Sequence, residues 1–348
     1  MKGKIKQVIK LGLLISLGVI LLLLAFRNID LSEVFGILKK AEYSWVLLAL
    51  AASVLAFLSR ARRWILLIRP LGYKPGLASA YHALMTGYLI NFAAPRLGEL
   101  TRCVALGKKE KIPVDRLFGT VIAERVFDMI SIFIIMLIMI LGRSNRMDSF
   151  IRTDIFQPLG DKISSFFGFS TLFIIILVLF HAAILILFLL YRGRMRQMKL
   201  LTRIRDIIKG IFSGLKTFIK MKMMDKFEFI LHTLIIWSFY VIMTWVIFYA
   251  IPTTSNLQFV DAVFLLVIGS LGMAAPVQGG IGAFHWIVSR ALNVVYDIDL
   301  KDGLAYATLS HESQLLLIAI LGTISFYIIM GRRGRKKINL NLTTDGKE

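Results

Sequence analysis

Ala93-Ala94-Pro95-Arg96-Leu97-Gly98-Glu99 in the first half of the chain is echoed by Ala274-Ala275-Pro276-Val277-Gln278-Gly279-Gly280 in the second. Both tracts interrupt long apolar stretches. Proline removes a backbone donor and glycine admits dihedrals closed to other residues, so each tract is expected to break a helix. At membrane depth a broken helix survives only where it is buried in protein or lines a wet cavity. Two interrupted hydrophobic segments at corresponding places in two halves point to a transporter binding site. Translocation is therefore the leading functional expectation.

Hydrophobic residues make up 57% of the 348, which places the chain among polytopic membrane proteins. The run Leu11–Phe26 follows Lys2, Lys4, Lys6 and Lys10 like a signal peptide. Arg27-Asn28-Ile29-Asp30 comes next instead of a small-residue cleavage site, so the run reads as an uncleaved first span. The single Cys103 excludes an internal disulfide and a zinc cluster built on several thiolates. A net charge of +21 invites a nucleic-acid reading, but the basic segments flank apolar spans, as a cytoplasmic-positive bias requires.

Spans are expected near 9–26, 43–68, 118–142, 170–191, 228–250 and 303–330, each about the 20 residues needed to cross. The segments 1–10, 59–76, 107–117, 192–228 and 331–348 together carry 30 of the 42 Lys and Arg. The segments 27–42, 143–169, 251–258 and 297–302 together carry only 8. All five basic segments share one face only if the stretches 77–106 and 259–296 each leave on the side where they enter. Each is then a re-entrant or broken-helix hairpin bent at its proline tract. The expected fold is all-α, with about six full spans and two hairpins arranged as two inverted-topology repeats. Its parts are a first half (1–142), an outer loop (143–169), an inverted second half (170–330) and a basic cytoplasmic tail (331–348). Both termini are placed in the cytoplasm and the chain in the inner (plasma) membrane. Thr120-x-x-x-Glu124 and Thr308-x-x-x-Glu312 match at an offset of 188, beside 181 for the prolines.

Residues 31–40 have the spacing of a short helix lying on the outer interface, and 192–227 that of a basic amphipathic helix on the cytoplasmic leaflet. Tyr43, Trp45, Trp64, Tyr191 and Tyr249 are read as interface belts.

Setting loop charges aside leaves Arg96, Arg102, Arg125 and Arg290 with Glu99, Glu124, Asp128, Asp261 and Glu312 inside apolar segments. Charges there need partners or water. Arg102, Arg290 and Asp261 are expected to snorkel to an interface. Glu124 and Asp128 share a helical face and repel unless a cation sits between them, a role open to Arg96 or Arg125. Two readings stand side by side. One is a buried ion-pair network fixing the first hairpin against the span at 118–142. The other is a polar cavity in which an arginine fork holds a phosphate.

In the second hairpin, Gln278, Gly279, Gly280 and Gly282 open a helix over 281–296, where backbone donors offer an anion site or glycines serve close packing. His285 reads as a packing residue before a proton carrier. His311 beside Glu312 is the better proton-coupling candidate, with a structural hydrogen bond as the alternative. The five histidines show no metal-ligand spacing, and no Walker, Gly-x-Ser-x-Gly or Gly-x-Gly-x-x-Gly arrangement occurs. No cofactor or metal is expected.

Asn91 with Pro95-Arg96, Gly98-Glu99 and Arg102, then Ile112-Pro113 and Glu124-Arg125-x-x-Asp128, resembles the lysylphosphatidylglycerol synthase transmembrane-region family. Pro276-x-x-Gly279-Gly280-x-Gly282 carries the resemblance into the second half. It covers about residues 10–335. Members usually carry a glutamate a few residues after the Gly-Gly-x-Gly tract, where this chain has His285. The resemblance implies a flippase-like membrane region without the soluble aminoacyltransferase domain.

The expected function is thus translocation of a lipid with an anionic headgroup, a phospholipid or an isoprenoid-linked lipid. The expected binding residues are Asn91, Pro95, Arg96, Glu99, Arg102, Glu124, Arg125, Asp128, Pro276, Gly279, Gly280 and Gly282. His311 and Glu312 are candidates for proton coupling. Membrane lipids are the expected partners, with a separate lipid-modifying enzyme in company and no nucleic acid. The alternatives are a lipid-binding scaffold and, less favoured, an intramembrane transferase with Glu124 or Asp128 as base.

Overall fold

The computed structural model describes residues 30–93, 97–141, 218–275 and 277–341, together with Ser16. The expected spans 9–26 (Ser16 apart) and 170–191, the outer loop, most of the stretch 192–227, and Pro95, Arg96 and Pro276 lie outside the described residues. Every regular element among the described residues is helical: α1 (Leu31–Lys40), α2 (Tyr43–Ile68), α3 (Leu77–Ala93), α4 (Gly98–Glu110), α5 (Val114–Leu141), α6 (Met223–Phe248), α7 (Phe259–Ala274), α8 (Ala283–Tyr296) and α9 (Leu300–Asn341). Three are long and apolar enough to cross a membrane, over Tyr43–Leu71, Met223–Phe248 and Leu300–Ile329. The chain is an all-α polytopic membrane protein.

Local chemistry sets the helix ends. Asp30 caps α1 by accepting from the Ser32 amide at 2.8 Å, and Lys39 and Lys40 in the last turn suit the helix dipole. Gln258 and Asp261 form a reciprocal capping box at the start of α7. At the other end of α4, Lys111 turns left-handed (φ 58°) before Ile112-Pro113.

α2 and α6 form the central pair. Arg69 meets Asp225 at 2.6 Å, Arg63 meets Thr233 at 3.2 Å, and the Trp45 and Tyr249 rings lie 5.0 Å apart, so the two helices run antiparallel. Each is followed by a helical hairpin, α3–α4 after α2 and α7–α8 after α6, and then by a long helix, α5 and α9. The packing recurs on exchanging the halves. α3 packs on α2 as α7 on α6, α4 on α5 as α8 on α9, and each hairpin's first arm packs on the long helix of the other half.

Two apolar cores lie at opposite ends of α2. Its first turns, with Val46 and Ala49, join a core containing Phe264, Leu265, Val288, Leu292 and Val295, at the base of the second hairpin. Its last turns, with Ala61, Trp64, Ile65 and Ile68, join a core containing Ala80, Ala83, Leu84 and Leu106, at the base of the first. The hairpins are therefore rooted at opposite ends of a spanning helix and point toward each other. Their tips meet: a Cβ on Gly279 would sit 3.7 Å from the Phe92 ring.

Close approach of the first hairpin's arms depends on Gly87 and Gly98. A Cβ on Gly98 would strike the Gly87 carbonyl, and one on Gly87 would lie 2.8 Å from the Gly98 carbonyl. The second tip needs glycine for its backbone instead. Gly279, Gly280 and Gly282 all have positive φ, at 58°, 77° and 82°. A 3₁₀ turn over Gln278–Gly280 precedes α8, so the regular helix starts at Ala283, two residues later than the sequence suggests.

Candidate functional site

Arg60 and Arg63 are three residues apart on α2, and Glu124 and Asp128 four apart on α5, so each pair shares a helical face. The two faces meet. Arg60 Nη2 donates to Glu124 Oε1 at 2.6 Å and to Asp128 Oδ2 at 2.8 Å. Arg63 Nη2 donates to Asp128 Oδ1 at 2.5 Å and lies 3.5 Å from Glu124 Oε1. From α4, Arg102 Nη2 reaches the other Glu124 oxygen at 2.9 Å. Glu124 has no exposed surface, so three guanidiniums replace its water. Arg102 also lies over the Trp64 ring (4.8 Å) and Arg63 over Phe229 (5.5 Å), apolar faces suited to a planar cation.

At the edge of this cluster Arg125 Nη2 donates to Glu99 Oε1 at 3.1 Å, and its Nη1 lies 3.6 Å from Asp128. Glu99 also accepts from Asn91 Nδ2 at 3.3 Å, while Asn91 Oδ1 accepts from the Gly98 amide at 2.7 Å. Four arginines (Arg60, Arg63, Arg102, Arg125) thus face three carboxylates (Glu99, Glu124, Asp128), an excess of one positive charge.

Two sequence expectations need correction. Arg102 does not snorkel, because its side chain is 2% exposed and engaged with Glu124. Arg60 and Arg63, counted with the basic segment 59–76, are buried partners of the carboxylates. Arg125 does take part in neutralising the α5 pair, with Nη1 3.6 Å from Asp128, and Arg96, the other cation considered for that role, lies outside the described residues. The missed signal was the apolar run Ile65–Ile68 beyond the arginines, which shows that Arg60 and Arg63 lie within the helix. Segment 59–76 keeps Arg62, Arg69 and Lys74, so its basic bias survives. Asp261 caps α7 and accepts from Tyr296 Oη at 2.9 Å, while Arg290 is exposed on α8.

Between the hairpin tips lies a cavity of about 520 Å³. Asn91, Glu99, Tyr88 and Tyr240 give it a polar wall, and Gly279 and Gly280 line it from the second hairpin. A second compartment of about 310 Å³ adjoins it, walled mainly by Met243, Ile247, Leu265, Leu266 and Val288. Phe57, Tyr240, Met273 and Ile318 border both. Tyr240 Oη accepts from Arg60 Nη1 at 3.0 Å, which connects this shared wall to the charge cluster.

The expected site residues therefore fall into two groups. Asn91, Glu99, Gly279 and Gly280 line the cavity, whereas Arg102, Glu124 and Asp128 form the buried cluster beside it, with Arg125 joining the two. Gly282 is the N-cap of α8. His311 and Glu312 are joined by a residue distant in sequence, His285, and these three have ligand atoms within 4.8 Å of one another.

The family model for the lysylphosphatidylglycerol synthase TM region matches residues 9–322. The chain belongs to that family. A UPF0104 membrane protein of Methanocaldococcus jannaschii is 26% identical over 339 residues, covering 93% of this chain and 96% of its own. A UPF0104 membrane protein of Methanothermobacter thermautotrophicus is 28% identical over 134 residues, 38% of this chain and 40% of its own. No solved structure matches. As a member of the family, the chain is a membrane protein with a lipid-related setting, and the matched region includes both hairpins and the charge cluster.

Proposed function

We propose that this protein moves a lipid with an anionic headgroup, such as a phospholipid or an isoprenoid-linked lipid, between the leaflets of the cell membrane. The observation that carries the reading is the paired cavity. The larger compartment sets Asn91, Glu99, Tyr88 and Tyr240 among otherwise apolar walls, the smaller is more apolar still, and they share Phe57, Tyr240, Met273 and Ile318, which suits a headgroup with a chain attached. The compartments lie where two oppositely rooted hairpins meet, the arrangement that lets one site face either leaflet. The positive excess of the charge cluster favours an anion, and Arg125 offers a half-exposed guanidinium beside the cavity-lining Glu99.

In this reading Asn91 and Glu99 orient the headgroup, Arg125 supplies the positive charge, and the glycine turn leaves room at the second tip. The clustered Glu124 and Asp128 serve as framework rather than as bases, so the lipid is moved and not chemically changed. A separate enzyme would then make or modify it.

Vesicles reconstituted with the full chain and fluorescent anionic phospholipid provide the test, read by chemical quenching of outer-leaflet probe. Met273→Trp should plug the wall shared by both compartments, and Arg125→Ala should remove the exposed cation. Both are expected to slow leaflet exchange at least tenfold while the protein remains monodisperse. Unchanged exchange in both variants overturns the proposal, and a new labelled lipid product would favour the transferase reading.

A further inference from the structure

The second tip holds a polar cluster at the edge of the paired cavity, to which the lipid proposal assigns no role. His311 Nε2 and the Gly279 carbonyl oxygen are 2.7 Å apart, and a carbonyl can only accept, so Nε2 carries a proton and donates. In the neutral ring that leaves a bare lone pair on Nδ1. This nitrogen faces Glu312 Oε1 at 3.1 Å, an acceptor against an acceptor. Such a contact needs either a proton or a metal ion between the two atoms. His285 Nε2 lies on the same carboxylate oxygen at 3.5 Å, its side chain is 2% exposed, and its Nδ1 has no partner.

We propose that His285, His311 and Glu312 form a divalent transition-metal site of the zinc class, which pins the tip of the second hairpin to α9. Ligands at 2.0–2.1 Å in tetrahedral geometry lie about 3.3 Å from one another. The two separations that share Glu312 Oε1, 3.1 and 3.5 Å, bracket that spacing, and all three ligand atoms lie within 4.8 Å of one another, so a small ring rotation closes them on one ion. Two imidazoles and one carboxylate suit zinc, cobalt or nickel, whereas magnesium and calcium take mainly oxygen donors. The His311–Gly279 hydrogen bond is the outer-shell contact that metal-bound histidines characteristically make. Stacking of Phe284 on His311, with centroids 5.0 Å apart and planes at 25°, holds the ring in place. The Glu312 side chain is 47% exposed, which leaves the fourth position open to water or a small ligand. The site stands on its own geometry, independently of which lipid is moved or whether one is.

Purification through a histidine-free tag, chelator stripping and dialysis against zinc or cobalt provide the test. One zinc per chain is expected, with two imidazole nitrogens in its X-ray absorption spectrum, and cobalt should give the visible band of a low-coordinate ion. His285→Ala and His311→Ala should each lose the metal, and Glu312→Gln should weaken binding at least tenfold. His285→Cys should retain it, since thiolate is also a zinc ligand. His232→Ala, a histidine bonded to Ser59 on another surface, should bind as the parent does. Wild-type chain that retains no metal, metal without histidine ligation, or full binding by a His285→Ala/His311→Ala double variant overturns the assignment. The wild-type spectrum decides the matter even if a variant fails to fold.

Discussion

Replacing Glu124 with glutamine keeps shape and one carbonyl acceptor but removes the charge that three guanidiniums surround. Its contacts are Arg60 at 2.6 Å, Arg102 at 2.9 Å and Arg63 at 3.5 Å, with no exposed side-chain surface. Removing one partner of a buried ion pair costs about 3–5 kcal/mol, because the remaining charge stays buried and uncompensated. A chain of 348 residues loses roughly 2 °C of melting temperature per kcal/mol, so the expected fall is about 6–10 °C. Glu228→Gln provides the internal comparison. Its partner Arg62 is at 2.6 Å too, but the two side chains are 27% and 35% exposed. An exposed pair contributes about 0.2–1 kcal/mol, so this variant should shift by less than about 2 °C. The assay is built into the sequence, because Cys103 is the single cysteine and is fully buried on α4. A thiol-reactive dye therefore reports the opening of the first hairpin during heating. Adding Arg102→Met to Glu124→Gln restores the charge balance and should recover part of the loss. Equal melting of Glu124→Gln and Glu228→Gln would refute the argument from burial.

Other outcomes follow from the packing. Gly98→Ala places a methyl against the Gly87 carbonyl and 2.6 Å from Asn91 Oδ1, so it should force the arms apart, cost about 1–3 kcal/mol and speed Cys103 labelling. Gly119→Ala, in α5 with nothing within 4 Å of the added methyl, should instead raise stability by up to about 1 kcal/mol in the same thermal assay. Gly322→Leu should separate α9 from α3, since even a Cβ there would lie 2.7 Å from Leu89; crosslinking between cysteines placed in those two helices should fall. Chelator treatment should lower the melting temperature of wild type and leave His285→Ala unchanged.

The helical hairpins were legible because their signals are local: a proline and glycines inside apolar runs, and charge on alternate connections. The charge cluster was half legible. Glu124 and Asp128 stood out by their spacing, but Arg60 and Arg63 sit where a helix leaves the membrane core. Composition alone does not distinguish an inward-facing arginine there from a loop arginine. Arg62 in the same helix and Arg69 just past its end, paired with Glu228 and Asp225, show the partly exposed alternative. The histidine cluster was legible only as His311 beside Glu312, because His285 is 26 residues from His311 and joins them through the packing of α8 on α9. Contacts made by folding a hairpin onto a later helix are long-range, and residue spacing along one helix does not reveal them.

Glu124 and Glu312 occupy matching places, each on the long helix of its half and facing the second arm of its own hairpin, Arg102 on one side and His285 on the other. The two joints are built of unlike material. Opening the first separates buried charges from their counter-ions. The second is a junction of two imidazoles and one half-exposed carboxylate, which a metal ion can close. In the transport cycle proposed above, such inequality would divide the labour. That cycle would use the first half as the stator and the second hairpin as the moving part.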